Sequence, residues 1–186
     1  IHLVGIGGVG MSGLARILLG RGERITGSDL ELSGLARCLS ESGAVLHEGN
    51  RAEHVPGGAR AVVVTAAVPE SNPELARARA LGLPVLKYAE MVGQVCRGLE
   101  TIAVAGTHGK STTTALVSWL LTMTGLDPTF LVGAMVPQLG TNAGIGLGRH
   151  FVIEACEYDR SFHNYEPYVA VITNVEPDHL DYYKDF

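Results

Sequence analysis

Cysteine is scarce in this 186-residue sequence, and its few copies are poorly placed for cross-links or for a metal. Cys38, Cys96 and Cys156 are odd in number, lie far apart and show no metal-ligand spacing. Small secreted domains commonly depend on paired cysteines, whereas cytosolic proteins keep their thiols reduced. The pattern argues against a disulfide framework and predicts a cytoplasmic location.

A surplus of positive charge and a long hydrophobic run are missing as well. The chain has 14 basic and 19 acidic residues, which are interspersed and give a formal net charge of −5. No basic face indicates nucleic-acid binding. No apolar run is long enough to span a bilayer, and the first residues lack a signal-peptide pattern. We expect an ordinary globular protein that binds no nucleic acid and does not insert into a membrane. These features leave its oligomeric state open.

Glycine, in contrast, is abundant, and two glycine clusters stand between a strand pattern and a helix pattern. The first cluster, Gly5-Ile6-Gly7-Gly8-Val9-Gly10, follows the predicted strand 2–6 and precedes the predicted helix 11–19. A Gly-x-Gly-x-x-Gly loop in this context places a diphosphate on a helix N-terminus. NAD, FAD and a UDP-sugar all carry a diphosphate, and a tight structural turn is a further interpretation.

Asp29 follows the next predicted strand, 24–28. A ribose-binding carboxylate would occupy this place in a dinucleotide fold. A helix cap or a turn residue is an equally good interpretation of an aspartate here.

The second glycine cluster has the features of a phosphate-binding loop. A predicted strand, 101–104, leads into a turn from Gly106 to Lys110 and a predicted helix, 111–124. In such a loop backbone amides surround the phosphates, the lysine reaches the β- and γ-phosphates, and the Ser111 hydroxyl is placed for Mg²⁺. Val104 stands where the general pattern has its first glycine, so the loop is a shortened variant. A chance turn between a strand and a helix is the alternative.

Strand and helix patterns alternate along the remaining sequence, which predicts an α/β fold with parallel sheets. We expect a Rossmann-like domain over residues 1–98 and a P-loop-type, parallel-sheet ATP-binding domain over residues 99–186. Asn72-Pro73-Glu74 predicts a helix start with an acidic first turn. His2, His47 and His54 have no partner motif, which favours satisfied or exposed side chains over ligands. Further strands are predicted at 45–47, 61–65, 83–86 and 129–133, and further helices at 35–42, 73–81 and 88–96.

Polar residues follow the last two predicted strands. Glu154 lies in the strand 151–155, near its end, where a Mg²⁺ ligand belongs beside a phosphate loop. The strand 169–173 leads to Asp178, His179 and Asp181, at the edge where parallel sheets carry their active sites. A solvated acidic turn is the other interpretation of that last segment. Residues 137–148 are predicted to be a glycine-rich loop.

Six motifs in this order resemble those of the Mur ligases, the amide-forming enzymes of cell-wall synthesis, and particularly the members that add L-alanine to UDP-N-acetylmuramate. The resemblance covers essentially the whole sequence, and His108 within the phosphate loop is typical of those members. The motifs are Gly5-Ile6-Gly7-Gly8-Val9-Gly10-Met11-Ser12, Gly27-Ser28-Asp29, Asn72-Pro73-Glu74, Gly106-Thr107-His108-Gly109-Lys110, Gly140-Thr141-Asn142-Ala143, and the segment from Asn174 to Tyr183.

The resemblance implies an ATP-dependent ligase that forms an acyl phosphate on the muramate carboxylate during peptidoglycan precursor synthesis. It implies Lys110, Glu154 and His179 as catalytic residues, with one Mg²⁺ at Ser111 and a second at Glu154 and His179. The implied ATP-binding residues are Gly106, Thr107, His108, Gly109, Lys110, Ser111 and Thr112. The implied UDP-substrate residues are Gly7, Gly8, Val9, Gly10, Met11, Ser28, Asp29, Thr141 and Asn142.

The sequence departs from the family at a few places. Ser111 replaces a frequent threonine and keeps the hydroxyl, whereas Cys156 replaces a usual aspartate and removes a carboxylate. The family's third domain has no counterpart in these residues, so we expect a piece of a longer protein that is inactive by itself. Alternative functions are a ligase that recycles a tripeptide onto UDP-N-acetylmuramate, an NAD(P)-dependent oxidoreductase and a non-catalytic nucleotide-binding module.

Overall fold

The computed structural model describes residues 1–177 and residue 183. The chain forms two compact units, Ile1–Met91 and Val92–Phe186, each built on its own five-stranded sheet with helices. This confirms the predicted α/β class. The division between the units falls within a helix, before the boundary that we predict at residues 97–99. Within the described residues, no helix is both long and apolar enough to cross a membrane.

Unit 1 is a parallel sheet in the order β3-β2-β1-β4-β5. The chain builds outward from β1 in one direction through β2 and β3, then returns to add β4 and β5 on the other side. Ligands of such sheets bind at this reversal, beyond the carboxyl ends of the strands. The first glycine loop leaves β1 at that point. The elements are β1 (His2–Val4), α1 (Val9–Gly20), β2 (Thr26–Asp29), α2 (Gly34–Glu41), β3 (Val45–Glu48), β4 (Val62–Val64), α3 (Pro73–Ala80), β5 (Val85–Lys87) and α4 (Tyr88–Cys96).

Local sequence explains most of these elements. The β-branched triplet Val62–Val64 forms an inner strand of the sheet, in which Val62 and Val63 are buried. Pro73 begins α3 behind Asn72, whose side chain accepts a hydrogen bond from the Glu74 amide at 2.8 Å, as the cap pattern predicts. The fully buried apolar side chains of unit 1 include Leu3 of β1 and Leu14 and Ile17 of α1.

Unit 2 has the strand order β10-β6-β9-β7-β8. Strands β6, β7, β9 and β10 are parallel, and β6 leads through the second glycine loop into the long helix α5. The carboxyl ends of β6, β9 and β10 therefore meet at one edge, beside that loop. The elements are β6 (Glu100–Ala105), α5 (Lys110–Met123), β7 (Thr129–Val136), β8 (Thr141–Gly144), β9 (His150–Glu154) and β10 (Val169–Ile172).

The second sheet is parallel apart from one strand, β8, and the prediction of a loop over residues 137–148 is wrong there. Residues Thr141–Gly144 pair antiparallel with β7. This short segment has little intrinsic strand propensity, since it contains alanine, asparagine and glycine. Pairing and burial stabilise it instead: Ala143 is buried, and the Phe130 ring occupies the space that a side chain at Gly144 would need.

Candidate nucleotide-binding and catalytic site

The first glycine loop is held by two consecutive residues of β2. The Ser28 carbonyl accepts hydrogen bonds from the amides of Gly5 (2.8 Å) and Ile6 (3.0 Å). The Asp29 carboxylate accepts a third, from the Gly7 amide, at 2.7 Å. Gly5 has a φ of +82°, a backbone conformation that favours glycine. The loop therefore has a defined shape set by its neighbour strand.

Asp29 thus acts in the protein as a turn-bracing residue, one of the two interpretations that its position allows. The same residue also lines a cavity of about 450 Å³ at the carboxyl edge of the first sheet. Ser28 itself is fully buried and contacts the loop through its backbone. The Ser28 side chain does not line the cavity, whereas Asp29 does.

The same cavity contains polar residues that sequence reasoning missed. Glu31, Asn50 and Thr65 line it together with Gly7 and Gly8 of the loop. Asn50 follows β3 and Thr65 directly follows β4. The rule that ligands bind beyond the carboxyl ends of parallel strands was the signal that would have found them.

The N-terminus of α1 is the electropositive end of this site. Gly8 caps the helix without a side-chain hydrogen bond, and the first turn of α1 has no acidic residue. The Asp29 carboxylate on the Gly7 amide offsets part of the positive end of the helix dipole. A side chain at Gly10 would approach the Tyr88 hydroxyl at 3.1 Å, which explains the glycine there by close packing. Val9, Gly10 and Met11, which are predicted UDP-substrate residues, lie at this helix start, and the Met11 side chain is buried.

The second glycine loop has the same arrangement in unit 2. Gly109, with a φ of +82°, caps α5 without a side-chain hydrogen bond, and the first turn of α5 has no acidic residue. Lys110, Ser111 and Thr112 form that first turn. The positive end of α5 therefore faces the loop, as a phosphate-binding helix requires.

Lys110 is held by the loop and by a carboxylate. Its ammonium donates to the carbonyls of Gly106 (2.5 Å) and Thr107 (3.1 Å) and to Glu157 Oε1 (3.1 Å). Both members of the ion pair are largely shielded from solvent. Sequence reasoning missed Glu157, because a contact across 47 residues leaves no local pattern.

Ser111 and Glu154 come together beside Lys110. The Ser111 hydroxyl donates to Glu154 Oε2 at 3.1 Å, and the Gly133 amide donates to Oε1 at 2.6 Å. A Cβ at Gly133 would lie about 3.0 Å from the carboxylate, so glycine lets β7 approach it. A hydroxyl and a carboxylate are hard oxygen donors that fit Mg²⁺.

The described residues contain no group of three or more histidine, cysteine, aspartate or glutamate side chains arranged to hold a metal. His179, which is expected to bind the second Mg²⁺ together with Glu154, lies outside the described residues, as do Asp178 and Asp181.

The segment after β10 braces the second glycine loop. Asn174 accepts from the amides of Thr107 (3.1 Å, through its carbonyl) and His108 (2.9 Å, through its side chain). Its side-chain amide donates back to the His108 carbonyl at 3.0 Å, and the Thr173 hydroxyl donates to the same carbonyl at 2.6 Å. The Thr173 hydroxyl also occupies the space that a side chain at Gly106 would need.

Cys156 lies in the same region, next to Glu157. Burial raises the pKa of its thiol, and the neighbouring Glu157 and Glu154 carboxylates act in the same direction against Lys110. The thiol is therefore neutral at pH 7. It does not replace the negative charge of the aspartate that is usual at this position.

The two remaining substrate candidates belong to β8. The Thr141 hydroxyl donates to the Ala143 carbonyl at 2.9 Å, and Asn142 is only 1 % exposed. Both lie in unit 2, whereas the glycine loop of the UDP-substrate prediction lies in unit 1.

Two family models match the chain. Residues 1–99 match the model described as the Mur ligase family, catalytic domain, and residues 104–186 match the Mur ligase middle domain.

Similar proteins agree with these matches. A UDP-N-acetylmuramate--L-alanine ligase from Arthrobacter sp. (strain FB24) is 53% identical over 98% of this chain and 39% of its own length. One from Alkaliphilus metalliredigens is 48% identical over the whole chain and 40% of its own length. The chain thus spans about two fifths of the length of these curated relatives.

Solved structures show the same likeness. The UDP-N-acetylmuramate-alanine ligase of Thermotoga maritima superimposes with a TM-score of 0.92 at 31% identity, covering all of this chain and 43% of that one. The UDP-N-acetylmuramate:L-alanyl-gamma-D-glutamyl-meso-diaminopimelate ligase of Neisseria meningitides gives 0.87 at 30%, covering 97% and 61%. The chain belongs to the Mur ligase family.

Proposed function

We propose that this chain supplies the UDP-sugar and ATP sites of a ligase that joins L-alanine to the lactyl carboxylate of UDP-N-acetylmuramate. The observation that carries the proposal is the convergence of Lys110, Ser111 and Glu154 at the start of α5. A lysine, a hydroxyl and a carboxylate at a helix N-terminus are the groups that a phosphoryl-transfer site uses. The names of the alanine-adding relatives supply the substrates.

The chemistry requires activation of a poor electrophile. A carboxylate oxygen of the substrate attacks the γ-phosphorus of ATP, and ADP leaves, which produces an acyl phosphate. The amine of L-alanine then attacks the acyl carbon, inorganic phosphate leaves, and the nitrogen releases a proton. Neither step needs a protein nucleophile, so positioning and charge neutralisation carry the catalysis.

Lys110 has the central role in the first step. To reach the γ-phosphate its ammonium exchanges the Glu157 carboxylate and the loop carbonyls for phosphate oxygens. The N-terminus of α5 and the loop amides stabilise the same charge. Mg²⁺ is the proposed cation: the Ser111 hydroxyl would hold one ion, and Glu154 with His179 would hold a second. When bound, these ions would neutralise phosphate charge.

The first glycine loop binds the other nucleotide in this proposal. Its diphosphate lies at the start of α1, near Gly8, Val9, Gly10 and Met11, and Asp29 lies within reach of the remaining nucleotide. We place the reaction in the cytoplasm, where ATP and nucleotide sugars are available.

Calorimetric titration tests the assignment of the first loop. We expect saturable binding of UDP-N-acetylmuramate by this chain without ATP, and no binding of NADH under the same conditions. NADH carries a diphosphate but neither a uracil nor a sugar acid, so it controls for unspecific anion binding. Binding of NADH without binding of the UDP-sugar would reject the ligase and favour an oxidoreductase.

A ligase for a preformed tripeptide is the second candidate, favoured by the likeness to the Neisseria meningitides structure. A turnover assay with the full-length protein separates the two. Phosphate release with L-alanine but not with L-alanyl-γ-D-glutamyl-meso-diaminopimelate supports the alanine-adding enzyme. The opposite preference supports the tripeptide ligase.

A further inference from the structure

A buried carboxylate lies beneath the first glycine loop. Glu74, the acidic residue predicted in the first turn of α3, is completely buried, as are Ser28 and His2. The cap geometry explains this placement: Asn72 holds the Glu74 amide, which fixes the first turn of α3. The Glu74 side chain thereby faces the sheet rather than solvent.

The carboxylate faces polar groups from several elements of unit 1. The Ser28 hydroxyl of β2 donates to Glu74 Oε2 at 2.6 Å. Oε1 lies 3.3 Å from His54 Nδ1 and 3.8 Å from His2 Nε2. Thr26 Oγ1 lies 2.7 Å from His2 Nδ1. The His47 ring of β3 stacks on His54 at a centroid distance of 4.4 Å, and the Arg51 backbone also contacts Glu74.

Ser28 connects this cluster to the glycine loop. Its side chain binds Glu74, while its carbonyl accepts from both Gly5 and Ile6 and its neighbour Asp29 accepts from Gly7. Packing leaves little freedom here, because a Cβ at Gly27 would approach the Ile6 side chain at 2.5 Å. The orientation of residues 28 and 29 therefore determines the position of three consecutive loop amides.

Stability alone is a poor explanation for such a cluster. Removing a carboxylate from water costs several kcal/mol, and a buried ion pair or hydrogen-bonded charge repays this cost only in good geometry. An apolar residue of similar size would fill the space at no such cost. What the carboxylate adds is a strong, directional acceptor that holds the Ser28 hydroxyl in one orientation.

We propose that Glu74 is a positioning residue for the UDP-sugar, which acts through Ser28 on the first glycine loop. The proposal rests on the proposed ligase function, because the loop must bind the diphosphate of the UDP-sugar. Glu74 does not touch the substrate. It fixes the end of β2, and β2 in turn fixes the shape of the first glycine loop.

The test uses the full-length ligase and compares KM for UDP-N-acetylmuramate with KM for ATP. The variants are Glu74→Gln, which keeps the shape and removes the charge, Ser28→Ala, and both together. Glu53→Gln, an exposed carboxylate of the same unit, is the matched control. We expect each single variant to raise KM for the UDP-sugar about tenfold, which corresponds to ~1.4 kcal/mol. KM for ATP should stay within about twofold, since the ATP loop belongs to unit 2.

The effect of the double variant on KM shows whether Glu74 acts through Ser28. If Glu74 acts through Ser28, the double variant should cost no more than one single variant. A fall in melting temperature with KM for the UDP-sugar unchanged would make the cluster merely structural and overturn the proposal. If Glu74→Gln fails to fold, Ser28→Ala decides by itself, and an unchanged KM in that variant overturns the proposal.

The same experiment separates this inference from the proposed function. A wild-type enzyme that does not use UDP-N-acetylmuramate overturns the function and the inference together. If the wild-type enzyme uses UDP-N-acetylmuramate and the variants have the same KM for it, only the inference about Glu74 is overturned.

Discussion

At the scale of single residues, Lys110 makes the clearest prediction. Its ammonium is the charge that meets the γ-phosphate in our proposal, whereas the UDP-sugar loop lies in the other unit. Lys110→Ala in the full-length enzyme should lower kcat at least about a hundredfold, the scale of losing one transition-state donor. Calorimetry should show unchanged UDP-N-acetylmuramate binding. Loss of UDP-N-acetylmuramate binding together with the loss of turnover would contradict the assignment of the two ligands to different units.

Removing the charge of Glu157 is expected to improve ATP binding rather than to impair the enzyme. Lys110 must leave this carboxylate, 3.1 Å away, before it reaches a phosphate. Glu157→Gln removes the competing charge and keeps the shape, so ATP should bind a few times more tightly, consistent with a pair worth about 1 kcal/mol. Titration with ATP measures this, with Glu166→Gln as an exposed control in the same unit. Weaker ATP binding in Glu157→Gln would show that the carboxylate helps to hold the nucleotide.

At the scale of elements, the loop before α5 depends on the segment after β10. Asn174 binds the loop at the Thr107 amide and at both backbone groups of His108, and two of these three contacts use its side chain. Asn174→Ala removes two hydrogen bonds of about 1 kcal/mol each and should raise KM for ATP roughly thirtyfold. KM for the UDP-sugar should not change. Asn164→Ala, in an exposed turn of unit 2, is the control, and equal effects of the two variants would contradict a specific brace.

At the scale of the whole molecule, the buried Glu74 and the stacked His47 are expected to make the fold less stable in acid. Burial opposes the charge of Glu74, but the nearby His2 ring and the hydrogen bond from Ser28 outweigh it and lower its pKa below the ordinary 4.5. Burial, with His54 and His2 nearby, lowers the pKa of His47 below 6.5. Both groups therefore bind protons more readily when unfolded.

The consequence is a stability that falls as the pH falls. The His47 contribution is present above pH 6.5 and is lost as the pH falls through its folded pKa. The Glu74 contribution is present above pH 4.5 and is lost below it. Urea unfolding of wild type and Glu74→Gln from pH 7 to pH 3 measures this. Their difference in stability should shrink only below about pH 4.5; a difference independent of pH would show that the Glu74 carboxylate is not the titrating group.

Local patterns were sufficient for much of the architecture. Both strand-loop-helix units around Gly5–Gly10 and Gly106–Lys110 form as predicted, because their periodicity, glycines and helix starts lie within about twenty residues of one another. The same holds for α4, which begins at Tyr88 and ends at Cys96 as the pattern indicates. The alternation of these units also predicted the α/β class.

What only the tertiary structure decided are the contacts between distant segments. Strand β8 exists because β7 offers it a partner, and the buried Glu74 carboxylate is met by the Ser28 hydroxyl of β2, 46 residues away. Glu157 and Asn174 reach the phosphate loop across 47 and 66 residues. Side-chain periodicity reports which face of an element is buried, but it carries no record of which distant polar group will lie opposite. The sequence alone therefore predicted the two glycine loops and their phosphate-binding pattern. Only the tertiary structure showed which distant residues hold those loops in shape.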